Sequence, residues 1–553
     1  MQRGARWLAR GLVAALFALP LVAALALALH AGLDVAAWRA LLDDPQLRPA
    51  LAASVRVALA STGLALAFTL ALTTALHGSA AWRRLTRLLG PMLAVPHAAF
   101  AIGLALLVMP SGLVARLVAP LAGWSAPPAW QSVNDPAALG LIAVLVAKET
   151  PFLLWSVLAL LGRPEVELAL RREIATVRSL GYGAAAAWWR VLWPQWLPRL
   201  ALPIAAVLAY SLTVVDVALI IGPGTPPTLA QLAWQWLREA DPARHAVGAA
   251  AALLLAATLA LLCLLLAALA LAVDRAWRAR MRLGRRSARR TSGDVAVRVA
   301  SLGAVTLAGL YALVLAMLVL MSSAGVWTFP ALLPRLDTSA WRTVSAGLRH
   351  VGFTAALAAL ASASALLLAV AWFEAAPARW DRRALPLVML PIVVPALLLV
   401  VGLYQGALRL HLDGTALGLW WAHTLMCVPY VWIALAPSWR SYDPRFEATA
   451  LALGRARPAF WWHVKWPMLR VPLAAAAAVG FAVSVAQYLP TLFIGAGRHA
   501  TVTTEAVTLA SGGQRSLGAA FALLQALLPA LGFAAAHALA RRRFDRGAAW
   551  SIQ

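Results

Sequence analysis

Charge is what this 553-residue chain has least of: 12% of its residues are Asp, Glu, Lys or Arg, against roughly 25% in a soluble domain. With 62% of residues hydrophobic, most of the chain cannot face water. Lysine is scarcer still, occurring only as Lys148 in Ala147-Lys148-Glu149 and Lys465 in Val464-Lys465-Trp466. A phosphate-cradling P-loop needs its lysine after Gly and before Ser or Thr, so neither lysine can serve and any ATP hydrolysis must lie elsewhere. The two cysteines, Cys263 and Cys427, fall in apolar windows, where a thiol behaves as a small hydrophobe. No grouping of His, Cys and carboxylates has metal-ligand spacing, and no nucleophile stands beside a general base. We therefore expect no metal, no cofactor and no catalytic centre.

What the chain has instead is long apolar runs. Residues 247–273 contain no charge at all, and ~20 such residues cross a bilayer core as a helix. Backbone exposed to lipid must satisfy its own hydrogen bonds, which makes these runs helical. The windows predict about twelve spans, near 10–30, 51–76, 90–109, 138–161, 200–222 and 246–273, then 299–322, 350–373, 385–408, 417–438, 471–493 and 517–540. The first run follows Arg3, Arg6 and Arg10 like a signal peptide, but it is longer than a signal core and reads as a retained helix. The expected fold is all-α, a polytopic integral membrane protein.

The formal net charge of +26 does not point to nucleic acid, because the Arg residues lie between apolar spans rather than on a soluble surface interleaved with aromatics. They fall in alternate loops: Arg83, Arg84 and Arg87; Arg171, Arg172, Arg178, Arg190 and Arg199; the run from Arg275 to Arg298; Arg379, Arg382 and Arg383; Arg440, Arg445, Arg455 and Arg457; and Arg541, Arg542, Arg543 and Arg546. Short cytoplasmic loops concentrate positive charge, so this set reads as cytoplasmic and both termini with it. Residues 274–298 then form a basic linker between residues 1–273 and 299–553. Much of the tryptophan, including Trp124, Trp130, Trp327 and Trp341, is expected in interfacial belts.

The two halves repeat. Pro91 and Pro96 match the interval of Pro386 and Pro391, and Ala138-Leu139-Gly140 precedes Pro151 as Ala416-Leu417-Gly418 precedes Pro429. In the long loop after the fourth and tenth spans, Leu180-Gly181, Trp188-Trp189, Val191 and Trp193-Pro194 align without a gap on Leu453-Gly454, Trp461-Trp462, Val464 and Trp466-Pro467. Farther on, Ile221-Gly222 and Gly224 keep that register against Ile494-Gly495 and Gly497. Halves with an even number of spans share one orientation, so the chain is a parallel pseudo-dimer of six-span halves. Each repeated loop predicts a short helix, at 173–180 and 447–453, then a sharp turn at Gly. Helix connections are usually two to eight residues, and long duplicated loops are usually functional.

The spacing from Gly181 to Pro194, repeated from Gly454 to Pro467, resembles the EAA motif of bacterial ABC importer permeases. The whole chain looks like two MetI-like six-helix permease halves fused head to tail, similar to the thiamine and ferric-iron permease class and its YnjC-type members, as does the segment QYLPTLFIGAG from Gln487. That resemblance implies a permease subunit in the bacterial inner membrane, forming the path for a small solute delivered by a periplasmic binding protein. It also implies two copies of an ABC ATPase subunit docked on the two loops. The motif's Glu falls on Ala175 and Ala448, while acids sit nearby at Glu173 and Glu447, and the first loop is about five residues longer than the second. The other reading is a twelve-helix secondary carrier, which would bear its signature in early cytoplasmic turns rather than after the fourth span of each half.

Ionisable groups inside a membrane are costly and mark pathways or structural polar contacts. Lys148 and Glu149 in the fourth span and Asp216 in the fifth are candidates of that kind. In the second half His423, Gln487 and Tyr488 are further candidates, more commonly packing or hydrogen-bonding residues than ligands.

Overall fold

The computed structural model describes residues 3–162, 164–282 and 293–541. Apart from two isolated bridges, the regular elements among the described residues are helical. Among the described residues, eleven helices are long and apolar enough to cross a membrane. They are α1 (Arg6–Gly32), α2 (Leu47–Leu76), α3 (His97–Ala122), α4 (Leu139–Leu161), α5 (Ala185–Thr213), α6 (Pro242–Met281) and α7 (Val295–Ser322), then α8 (Leu348–Ala375), α10 (Ala416–Arg440), α11 (Arg457–Val485) and α12 (Arg515–Ala540). Between α8 and α10, Ala378–Val393 and Ala396–Arg409 make a twelfth span, α9, if a pair bent by 98° counts as one. The chain is thus an all-α, multi-pass membrane protein.

The fifth span of each half differs from expectation. Instead of 200–222 and 471–493, α5 and α11 begin well before the Trp-Pro pairs and end at Thr213 and Val485. After a short break the chain resumes as Asp216–Ile221 and Leu489–Ile494. In the second half Pro490, in the first turn of the new segment, marks the break. In the first half the break falls among Thr213, Val214 and Val215, β-branched residues that weaken a helix without announcing its end. The expected linker also starts later, since helix continues through Arg282 and resumes at Gly293. Its centre, 283–292, and Arg542, Arg543 and Arg546 lie outside the described residues.

By contact the chain divides into two compact units, which do not follow the sequence halves. One comprises Gly32–Leu93 and Phe100–Leu336; the other comprises Met1–Ala31, Ala94–Ala99 and Asp337–Gln553. Each half's first helix therefore packs in the other half's unit. In the Met1-containing unit, Val13, Phe17, Leu21 and Ala24 of α1 are buried in one apolar core with Ala365, Phe373, Leu425 and Trp432. A methyl group on Gly402 would run into the Ala24 carbonyl, so α1 and α9 approach closely there. Small residues permit such contact between helices in lipid, where packing rather than water exclusion drives association. In the other unit Tyr311 of α7 donates its hydroxyl proton to the Ala147 carbonyl of α4 at 3.1 Å.

The repeat extends to details no spacing argument reaches. Helices Leu229–Trp236 and Val502–Ser511 each begin with a reciprocal capping box, Thr228 with Gln231 and Thr501 with Thr504. Each first amide then donates to a hydroxyl on the second span of its half: Leu229 N–H to Ser54 at 2.8 Å, Val502 N–H to Thr354 at 2.9 Å. Four N–H groups at a helix start lack internal partners, and a buried start must find them elsewhere.

Candidate functional site

The two repeated loops close their helices in the same way. The first helix, Pro164–Ser179, is longer than the expected 173–180, while the second, Arg445–Ala452, is near the expected length. Both end with a glycine in the left-handed region, Gly181 at φ +84° and Gly454 at φ +75°. The following amides reach back over the turn, Tyr182 N–H to the Val177 carbonyl at 3.2 Å and Arg455 N–H to the Ala450 carbonyl at 3.0 Å. This six-to-one closure with a left-handed glycine satisfies the last carbonyls and needs a residue without Cβ strain. Leu180 and Leu453, equivalent in the repeat, precede the glycines and are 69% and 76% exposed. Leu168, Phe446 and Leu451 are exposed on the same helices.

The acids do not point away from the protein. Glu173 accepts a long hydrogen bond from Gln195 at 3.5 Å, and Glu447 pairs with Arg457 at 3.6 Å, so each ties its helix to the segment that follows. Such partly exposed contacts are worth ~0–1 kcal/mol. Ala175 and Ala448, the positions matching the motif's Glu, are exposed.

Each loop then enters its span through a π turn, Trp188–Leu192 and Trp461–Lys465, in matching register. Pro194 and Pro467 follow directly after the π turns, inside α5 and α11 rather than at their first turn. One-turn π segments often sit at functional positions. Both turns are fastened to the second span of their half, but by different chemistry. In the first, Trp193 Nε1–H donates to Thr74 at 2.9 Å, and buried Trp188 packs against His77, Trp193 and Trp196. Burial lowers the His77 pKa below its usual 6.5, Glu167 opposes the shift, and Arg171 adds to it.

In the second loop Lys465, buried within the π turn, makes an ion pair with Glu374 at the end of α8 and lies 4.7 Å from the Trp439 ring centroid. Close by, Arg440 holds Asp381 through two bonds of 2.7 Å and donates to the Phe373 carbonyl at 3.1 Å. Sequence reasoning missed both pairs. The available signal was the rarity of lysine and the presence of an acid, Glu374, at the end of an apolar run.

Lys148, Glu149 and Asp216 belong to one unit, and His423, Gln487 and Tyr488 to the other. Lys148 is buried, donates to the Met92 carbonyl at 3.0 Å and lies 5.4 Å from the Tyr311 ring centroid. Its neighbour Glu149 is buried as well. His423 bridges Ser484 and Thr491, both at 2.9 Å. Thr491 already donates its proton to the Gln487 carbonyl at 2.8 Å. It therefore accepts from His423 Nε2–H. His423 thus bridges α10, α11 and Leu489–Ile494. Asp216 opens the helix after the first-half break and is half-buried, while half-buried Gln487 and buried Tyr488 occupy the second-half break. The candidates thus divide into braced interior groups, Lys148 and His423, and groups at helix breaks.

No family model matches the chain. It is 38% identical over 524 residues, 95% of this chain and 94% of the relative, to the inner membrane ABC transporter permease protein YnjC of Escherichia coli (strain K12). A stretch of 138 residues is 27% identical to the molybdenum transport system permease protein ModB of Mycobacterium bovis and of Mycobacterium tuberculosis, covering 23% of this chain and 52% of theirs. Identity of that extent to a permease, in a multi-pass chain bearing two equivalent loops, shows that this protein belongs to the permease family of ABC transporters.

Proposed function

We propose that this chain supplies the whole membrane pathway of an inner-membrane importer, its two six-span halves acting as two fused permease domains. The loops around Gly181 and Gly454 each receive one copy of a separate ATPase subunit. A periplasmic binding protein delivers a small solute to the opposite face. On this reading the Arg-rich loops and both termini are cytoplasmic. The observation that carries it is the paired construction of the loops: a left-handed glycine, an exposed leucine before it and a π turn after it, in the same register. ATP-driven closure of the ATPases would move the two helices and favour a second packing of the spans, which requires contacts that differ between the states. Asp216, Gln487 and Tyr488, at the helix breaks, are the residues we assign to the path. Unwound backbone at membrane depth is tolerated where it is buried in protein or lines a cavity. Lys148, Glu149 and His423 are assigned to bracing the spans beside it.

Cysteine cross-linking tests the docking. Ala175→Cys and Ala448→Cys place thiols on exposed positions, and the natural Cys263 and Cys427 lie in α6 and α10. Both variants should cross-link to the co-expressed ATPase subunit in membranes. Absence of cross-links from either loop, with the complex otherwise assembled, would refute two-site docking. A secondary carrier would transport without any ATPase subunit.

A further inference from the structure

We infer that the Met1-containing unit carries a binding site for one anionic phospholipid at its basic end. A cavity of about 320 Å³ lies there, walled by apolar side chains of α1, α8, α9 and α10. Phe17, Leu368 and Val428 line it together with Trp380 and Arg383. Alongside it the backbone of α1 widens into a π turn at Ala14–Ala18, contributing three lining residues. Within α9, the segment Ala378–Val393 is bent by 98° from Ala396–Arg409. Its apolar side faces the cavity through Ala384, Leu387 and Val388, while Arg379, Arg382 and Arg383 are exposed. A short amphipathic helix across the direction of a span lies in the membrane interface, with its cations among the headgroups.

Charge decides the ligand class. The one acid on this helix, Asp381, is held by both Arg440 bonds and by Trp372 Nε1–H at 2.9 Å. Arg10 is also committed, donating to the Ala375 carbonyl at 2.8 Å with the Trp380 ring 4.9 Å away. Among the described residues, Arg379, Arg382 and Arg383 form no ion pair with an acid. Arg383 at the cavity lining, with Arg379 and Arg382 exposed on the same helix, matches a phosphate headgroup with an acyl chain beneath it, and basic sites between spans recognise such headgroups. A zwitterionic lipid fills the cavity equally well but brings no net negative charge.

The full-length protein, purified in mild detergent and reconstituted into nanodiscs, tests this by native mass spectrometry. One nanodisc set contains phosphatidylcholine alone and the other phosphatidylcholine mixed with phosphatidylglycerol. The protein should retain phosphatidylglycerol about tenfold over phosphatidylcholine, a ratio expected of one to two guanidinium contacts. Arg382→Gln with Arg383→Gln should erase that preference, with an unchanged melting temperature in phosphatidylcholine showing that the fold persists. Ala384→Phe, which fills the cavity and leaves every arginine in place, should reduce retention of both lipids. Unchanged preference in the arginine variant, or unchanged retention in Ala384→Phe, overturns the site. Displacement of the lipid by excess inorganic phosphate would also overturn it, revealing a plain anion site. None of these readouts requires an ATPase, so failure here leaves the docking reading intact.

Discussion

Replacing Gly181 and Gly454 by valine should uncouple the permease from its ATPase without expelling it from the membrane. Both glycines have positive φ, +84° and +75°, and an added Cβ would meet nothing within 4 Å at either. The penalty is therefore conformational and not a clash. A non-glycine residue held in the left-handed region costs ~1–2 kcal/mol, and β-branching makes it a stronger outlier. The chain can escape only by opening the turn, which gives up the Tyr182 and Arg455 amide bonds to Val177 and Ala450 and re-aims Leu180 and Leu453. At 1.4 kcal/mol per tenfold, one substitution lowers the docking-ready population of its loop about 5- to 30-fold. Two substitutions at independent loops should add to ~2–4 kcal/mol. The assay is copurification of a co-expressed ATPase subunit, with membrane fractionation to confirm insertion. Asn tolerates the left-handed region, so Gly181→Asn with Gly454→Asn should retain most of the ATPase. Full copurification with the valine pair would refute the reasoning. Equal loss with the asparagine pair would show that side-chain bulk, not backbone conformation, is responsible.

Removing the Lys465 ammonium alone, as Lys465→Met, strands the Glu374 carboxylate in a site where both side chains are largely buried. That should cost ~3–5 kcal/mol, read as a fall in melting temperature, and Lys465→Met with Glu374→Leu should recover most of it; no recovery would mean that the pair is not the anchor. His77 has a lowered pKa in the folded protein, so the stability it contributes is complete above pH 6.5 and is lost as pH falls through the folded value. Melting temperature should therefore drop on acidification below pH 6.5, and His77→Phe should flatten that slope; an identical slope would place the titrating group elsewhere. Asp216→Asn should reduce solute uptake in whole cells if the acid at the first-half break reads a cationic cargo, and uptake at the wild-type rate would leave it a structural residue.

The sequence alone determined that the chain crosses a membrane many times, because apolar windows of bilayer length have no other stable place. It also determined the repeat and the position of the loop turns, since glycine is the residue most at ease at a left-handed helix end and it recurs at Gly181 and Gly454. Tertiary structure decided which helices are neighbours. A span that is apolar all round carries no stripe to say which face meets protein, so nothing in 10–30 or 299–322 foretold that α1 would bury Phe17 and Leu21 beside Phe373 or that Tyr311 would reach Ala147. The break after Thr213 was hidden too, because hydropathy continues across it while the backbone does not, and only Pro490 hinted at the one after Val485. The ion pairs Lys465–Glu374 and Arg440–Asp381 join residues distant in sequence, and their charges taken singly read as ordinary loop polarity. Local rules set the conformation of each segment; packing between segments, which depends on the shapes of small and aromatic side chains far apart in the chain, set the rest.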